Sequence, residues 1–97
     1  MDETQRVEGT DFVWSREKAD ANFRKHGVRF DDALAAFFDP LLVLADASRN
    51  GQSRQAVIGF DAAARLLFVV HAQIDGDWIR VVSARPATSR EEELYAQ

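Results

Sequence analysis

Between residues 47 and 85 every cationic side chain is an arginine: Arg49, Arg54, Arg65, Arg80 and Arg85. Only Asp61, Asp75 and Asp77 oppose them, so this stretch is net +2 within a chain whose formal net charge is −4. A guanidinium holds phosphate through two parallel hydrogen bonds, which makes arginine the side chain best shaped for that anion. His26 and His71 titrate near neutrality and can take up or release a proton there. Phosphate binding combined with proton transfer is within the reach of these residues. Arginines spread over exposed strands also keep a protein soluble, and charge alone does not separate the two uses.

The elements that must position these groups follow from periodicity and turn chemistry. Residues 1–11 are polar and aperiodic and read as a mobile tail, leaving 12–97 as one domain. Phe12-Val13-Trp14 suits a short edge strand. A helix is predicted over Arg16–His26: Ser15 suits its N-cap, Ala19, Phe23 and His26 form an apolar stripe, and Gly27 suits its C-terminal stop. A second helix is expected from Asp31 to Asp39-Pro40, with Ala33, Leu34, Phe37 and Phe38 on its apolar face. Together they would make an N-terminal helical hairpin turning at Gly27-Val28.

From Leu41 the period changes. After the apolar run Leu41–Ala45, the segments Arg54–Phe60, Leu66–Ala72 and Trp78–Ala84 read as strands, the last two joined through an Asp75-Gly76 hairpin signal. Leu66–Val70 is continuously apolar and reads as the central strand, buried on both faces. Thr88 and Glu91 have capping-box spacing and open a C-terminal helix through Tyr95. The expected class is a small α+β domain, mostly antiparallel in its sheet, with the helical hairpin at one end of the sequence and one helix at the other.

Composition removes several functions. The 97 residues suit a single domain. With no cysteine, disulfides, thiolate metal sites and cysteine nucleophiles are excluded. Two histidines and no loop of alternating acids make a metal site unexpected, and no cofactor is expected either. No stretch approaches the ~18 apolar residues needed to span a bilayer. The acidic start MDETQRVEGTD is unlike a signal peptide. A soluble, cytoplasmic protein without a membrane partner is the expectation.

Several stretches together resemble the BrnT-type toxins of bacterial type II toxin–antitoxin pairs. They are Phe12-Val-Trp14, Asn22-Phe-Arg-Lys-His-Gly-Val-Arg-Phe30, Ala33 with Phe38-Asp-Pro40, Arg54 with Val57-Ile-Gly59, Arg65-Leu-Leu-Phe-Val-Val70, and Ile79-Arg-Val-Val-Ser-Ala-Arg-Pro-Ala-Thr88, closed by Glu91 and Tyr95. Each piece alone is unspecific; their order and spacing over roughly residues 12–95 carry the signal. The resemblance implies a RelE-like fold and a small ribonuclease that inhibits growth and translation. It also implies a BrnA-type antitoxin as partner, which bears the DNA-binding part, so that DNA is met only through the antitoxin.

RNA cleavage without a metal needs a group to take the 2′-hydroxyl proton, charge to steady the phosphoryl oxygens, and a group to protonate the departing 5′ oxygen. Arg85, at a strand end before Pro86, is the first choice for a phosphate contact; its bland alternative is a surface salt bridge to Glu91 or the C-terminal acids. Arg80 lies mid-strand on the opposite alternation from Arg85, which strand twist can blur. Arg54 opens a strand and either joins the same patch or keeps an edge soluble. His71 either transfers a proton or sits half-buried on a backbone carbonyl. Lys25 and His26 either contact RNA or simply complement a helix C-terminus, with His26 packed beside Phe23. Arg65 suits a turn, Tyr95 an anchor, and Trp14 and Trp78 the core or a partner surface.

A second function stays open. The net charge of −4, Gln73-Ile74 where related chains often carry charge, and the acidic last helix fit a catalytically weak module that binds the antitoxin and tunes its promoter repression.

Overall fold

A computed structural model of the protein describes residues 1–97. The chain opens with strands β1 (Asp2–Val7) and β2 (Thr10–Ser15), then helix α1 (Arg16–His26) and one turn of helix α2 (Phe30–Ala33) continuing as a 3-10 helix over Leu34–Phe38. Strands β3 (Val43–Asp46), β4 (Gln55–Phe60), β5 (Leu66–Gln73) and β6 (Ile79–Pro86) follow, and helix α3 (Ser89–Ala96) ends it. The six strands form one sheet in the order β1-β2-β6-β5-β4-β3. All neighbours are antiparallel except β2 and β6, which pair in parallel through Phe12 with Ile79 and Val13 with Arg80. The α+β class is as expected, with a mixed sheet. No helix is long and apolar enough to cross a membrane.

Two expectations need correction. The segment 1–11 is not an aperiodic tail: Asp2–Val7 pairs residue for residue with Ser15–Thr10 across a turn at Glu8-Gly9, both in the left-handed region. That register also gives the Trp14 indole a partner, Glu3 Oε1, at 3.3 Å. The helices do not form an N-terminal hairpin either. They follow the β1–β2 hairpin, and each packs on the sheet: α1 against β2 and β6, the α2/3-10 segment against β4, β5 and β6. Phe30, one residue before the expected start at Asp31, is itself the first helical residue, behind an Arg29 cap.

The core lies on one face of the sheet. Phe12, Trp14, Val57, Leu67, Val69, Val81 and Ala84 meet Val28, Phe30, Ala33, Leu34 and Ala36 there. The aromatic rings cross edge to face, Phe12 on Phe37 at 5.1 Å and Trp14 on Phe30 at 6.1 Å. At Gly59 the 3-10 helix comes so close that a Cβ would stand 2.7 Å from the Ala36 carbonyl oxygen. β5 is central as expected, but only its Leu67, Val69 and His71 side is buried; Phe68, Val70 and Ala72 are half-buried on the other face. That second face is left open by the helices except at one end, where α3 lies.

A cationic groove as candidate functional site

Asn22 is the buried residue of α1 and fixes that helix to the sheet. Beyond Arg80, β6 has no strand beside it on the β2 side. Asn22 fills the gap: its Nδ2 donates to Ala84 O at 2.8 Å and to Val28 O at 3.0 Å, and its Oδ1 accepts from Ala84 N at 3.0 Å. The side-chain amide thus takes the place of a neighbouring peptide group. Arg65 fixes the same helix end from below, pairing with buried Asp61 at 2.8 Å and donating to Gly27 O at 3.2 Å. The apolar stripe expected on α1 is not buried: Phe23 is exposed beneath the Arg29 guanidinium, and His26 is half-buried at the groove.

Across the open face, β3 and β4 end in a tight hairpin. Arg49 and Gln52 exchange backbone hydrogen bonds of 3.1 and 2.9 Å around Asn50-Gly51, whose φ values of 52° and 76° suit the mirror-image turns of hairpins. Ser48 Oγ donates to Asp46 Oδ1 at 2.7 Å and accepts from Arg54 N at 3.2 Å, bracing the hairpin below its tip.

These elements enclose a hollow of about 500 Å³ over the second face. Phe68, Val70, Val82 and Ser83 are its floor, Lys25 and His26 its α1 side, Ala47, Ser48, Arg49 and Arg54 its hairpin side, and Arg85 joins them from β6. Its lining contains five cationic or titratable side chains and no Asp or Glu. Four of the six residues expected from the sequence therefore meet in one place: Lys25, His26, Arg54 and Arg85. Arg49 was not among them, although the Asn50-Gly51 turn signal beside it points to a hairpin tip.

The remaining two lie elsewhere. His71 is on the core face, stacked edge-on against Phe37 at 4.8 Å, with Nδ1 3.3 Å from the Val69 carbonyl oxygen. Burial pushes its imidazole below the ordinary histidine value. Arg80 shares the groove's sheet face, because the register shifts at Val70/His71, leaving Val82 as an extra β6 residue and bringing Arg80 and Arg85 to the same side. Its guanidinium turns to Asp2 at 3.1 Å, away from the hollow.

Charge within the groove is unevenly engaged. Arg85 lies 4.3 Å above the Phe68 ring and is held by both oxygens of Glu91 at 2.7 and 2.8 Å. Glu91 in turn closes the capping box with Thr88, so Arg85 is pinned to the start of α3. Arg54 donates to the neutral Gln52 Oε1 at 2.7 Å. No carboxylate lies within ion-pair distance of Lys25, Arg49 or Arg54. Burial, then the charges of Lys25 and Arg85, hold the His26 imidazole below its usual value. Tyr95 anchors α3, donating to Asp39 at 2.7 Å and packing on Phe60. Trp14 is core, and Trp78 is partly exposed at the edge of the β5–β6 turn. A second hollow, of about 420 Å³ beside β1, mixes Glu3, Asp20 and Asp31 with Arg24 and Arg29 and holds no histidine.

A family model described as the ribonuclease toxin BrnT of type II toxin–antitoxin systems matches residues 14–91. The chain belongs to the BrnT family. The matched span runs from the end of β2 to Glu91 and so includes every lining residue of the groove. The fold is similar to the 1.1 Å crystal structure of the Brucella abortus ribonuclease toxin BrnT, with a TM-score of 0.60 and 22% identity over 78% of this chain and 94% of that one. At that identity the likeness speaks for the BrnT fold. No curated protein matches the sequence significantly. Membership of a type II toxin–antitoxin family implies an antitoxin partner.

Proposed function

We propose that this BrnT-family chain is a RelE-like, metal-independent endoribonuclease toxin, acting in the cytoplasm and held inactive by a BrnA-type antitoxin that contributes the DNA-binding part. The observation that carries the reading is the gathering of Lys25, His26, Arg49, Arg54 and Arg85 around one hollow without an acid among its lining, in a chain of net charge −4. A polyanion is the ligand such a surface attracts. The groove lining offers a divalent cation no carboxylate, so the charge on the phosphoryl oxygens falls to Arg85 and Lys25, which meet at the His26 end.

His26 serves as the base for the 2′-hydroxyl. Burial and the nearby charges of Lys25 and Arg85 favour its neutral imidazole, the form that accepts a proton. The 2′ oxygen then attacks phosphorus as the bond to the 5′ oxygen breaks, the departing oxygen takes a proton from water, and the products are a 2′,3′-cyclic phosphate and a 5′-hydroxyl end. Growth and translation fail because RNA is cut.

The test is cleavage of RNA by the purified chain in excess chelator, with end analysis of the products. Expected are cyclic phosphate ends, undiminished by the chelator, and a loss of about 10²–10⁴-fold in His26→Gln. Cleavage that stops with chelator would overturn the mechanism.

The second reading, a weak module that binds the antitoxin without cutting RNA, draws on the Arg85–Glu91 pair, which commits one groove arginine to an internal carboxylate. Antitoxin binding with no cleavage at stoichiometric protein would select it.

A further inference from the structure

The cations of the groove form two groups, and the topology sets them apart. Arg85 stands opposite Phe68 of β5, with Lys25 and His26 beside it at the end of α1. Arg54 precedes Gln55, which stands opposite His71. Along the strands Arg54 is thus four residues from the Phe68 row, roughly 13 Å at ~3.3 Å per residue. Across the sheet β4 is two strands from β6, roughly 10 Å at the usual spacing. Between the two groups lies an apolar floor of Phe68, Val70 and Val82.

The second group is also built differently. Arg49 and Arg54 sit on either side of the Asn50-Gly51 turn, and the Ser48 hydroxyl links both strands of the hairpin beneath them. Neither meets a carboxylate, whereas Arg85 at the other end of the groove does. A braced hairpin whose two guanidinium groups meet no carboxylate, set diagonally across the apolar floor from Arg85, is placed to hold a phosphate of its own.

We propose that Arg49 and Arg54 form a separate phosphate subsite, so that the groove takes a single strand of RNA by two phosphates, one at the Lys25/His26/Arg85 end and a flanking one at the hairpin. The stretch of strand between them, one or more nucleotides, lies over the Phe68–Val70 floor. This inference rests on the reading of the groove as the ribonuclease site. It makes the substrate an extended single strand and gives the hairpin a binding role without a share in bond breaking.

The test measures binding of a short single-stranded oligoribonucleotide, blocked against cleavage by 2′-O-methyl groups, as a function of salt. Each phosphate that the protein ceases to neutralise lowers the slope of log affinity against log salt by about 0.7. The double variant Arg49→Ala/Arg54→Ala is expected to lose a slope of about 0.7 or more and to raise KM for cleavable RNA with kcat little changed. Lys25→Ala is expected to lower both slope and kcat. Arg6→Ala, which removes one charge from the distant β1–β2 hairpin, controls for net charge and leaves the slope intact. An unchanged slope in the double variant, with a lowered one in Lys25→Ala, overturns the second subsite and leaves the ribonuclease reading standing. Unchanged slopes in both overturn the two together. An equal loss in Arg6→Ala shows that overall charge, not the hairpin, is being read, and also overturns the proposal.

Discussion

His26 owes its chemistry to neighbours. Partial burial and the charges of Lys25 and Arg85 all disfavour its imidazolium form. If neutral His26 is the base, kcat/KM is flat at neutral pH and falls only as acid protonates the ring, with a midpoint below the usual 6.5. Removing a nearby positive charge relieves that effect, so Lys25→Ala moves the acid limb upward in pH. A pH–rate profile of the two proteins checks the shift; a limb that stays in place removes His26 from the role. Glu91 offers the complementary experiment. Its carboxyl is held below the usual range first by Arg85 and then by the Thr88 backbone and hydroxyl. Glu91→Gln keeps the shape of the capping residue but releases Arg85 to the groove. The expected result is tighter oligonucleotide binding with a salt slope steeper by about 0.7. The stability cost is on the order of 1 kcal/mol, as for other partly exposed ion pairs. The bland alternative recognised for Arg85, a pair with Glu91, is what the structure contains. Residue types therefore led to side chains of which four gather at one groove, and did not tell which of them is free.

At the level of elements, the α1–β6 junction decides whether the groove exists. Asn22→Leu leaves Ala84 N–H and two carbonyls, of Ala84 and Val28, buried without partners. Each such group costs about 1–3 kcal/mol, so a destabilisation of roughly 3 kcal/mol or more is expected, read as a lower urea midpoint at unchanged slope. The helix α1, the β4–β6 strands and the capping box of α3 were all legible, because their stops and turns lie within a few residues. What was hidden is long-range. β1 carries no apolar alternation and is a strand only because β2 lies beside it. The open second face was invisible because Leu66–Val70 is apolar on both sides, and the helices turn out to cover one. Asn22 looked like an ordinary helical polar residue, since its three partners come from later positions in the chain. Parity misled for Arg80 because an extra residue in β6 flips the alternation between it and Arg85.

For the whole molecule, a chain of net charge −4 presents a hollow whose lining carries cations and no acid. Of the first eight residues, Asp2, Glu3 and Glu8 outnumber Arg6, and none lines the groove. Deleting residues 1–8 removes β1, the Glu3 partner of Trp14 and the Asp2 partner of Arg80. We expect the melting temperature to fall by at least about 4–8 °C, the equivalent of 1 kcal/mol in a domain of this size, while cleavage per folded molecule is preserved. A folded deletion variant without cleavage would show that the groove is not sufficient.

The groove draws on residues 25–26, 47–54, 68–70 and 82–85, and so on nearly the full length of the chain. During synthesis the N-terminal elements appear first, at about 5–20 residues per second. Lys25 and His26 leave the ribosome seconds before Arg85, and α1 lacks its Asn22 tie to the sheet until the Ala84 peptide arrives. A nascent chain therefore carries the cations of its site without their arrangement. The groove takes shape only as β6 is delivered.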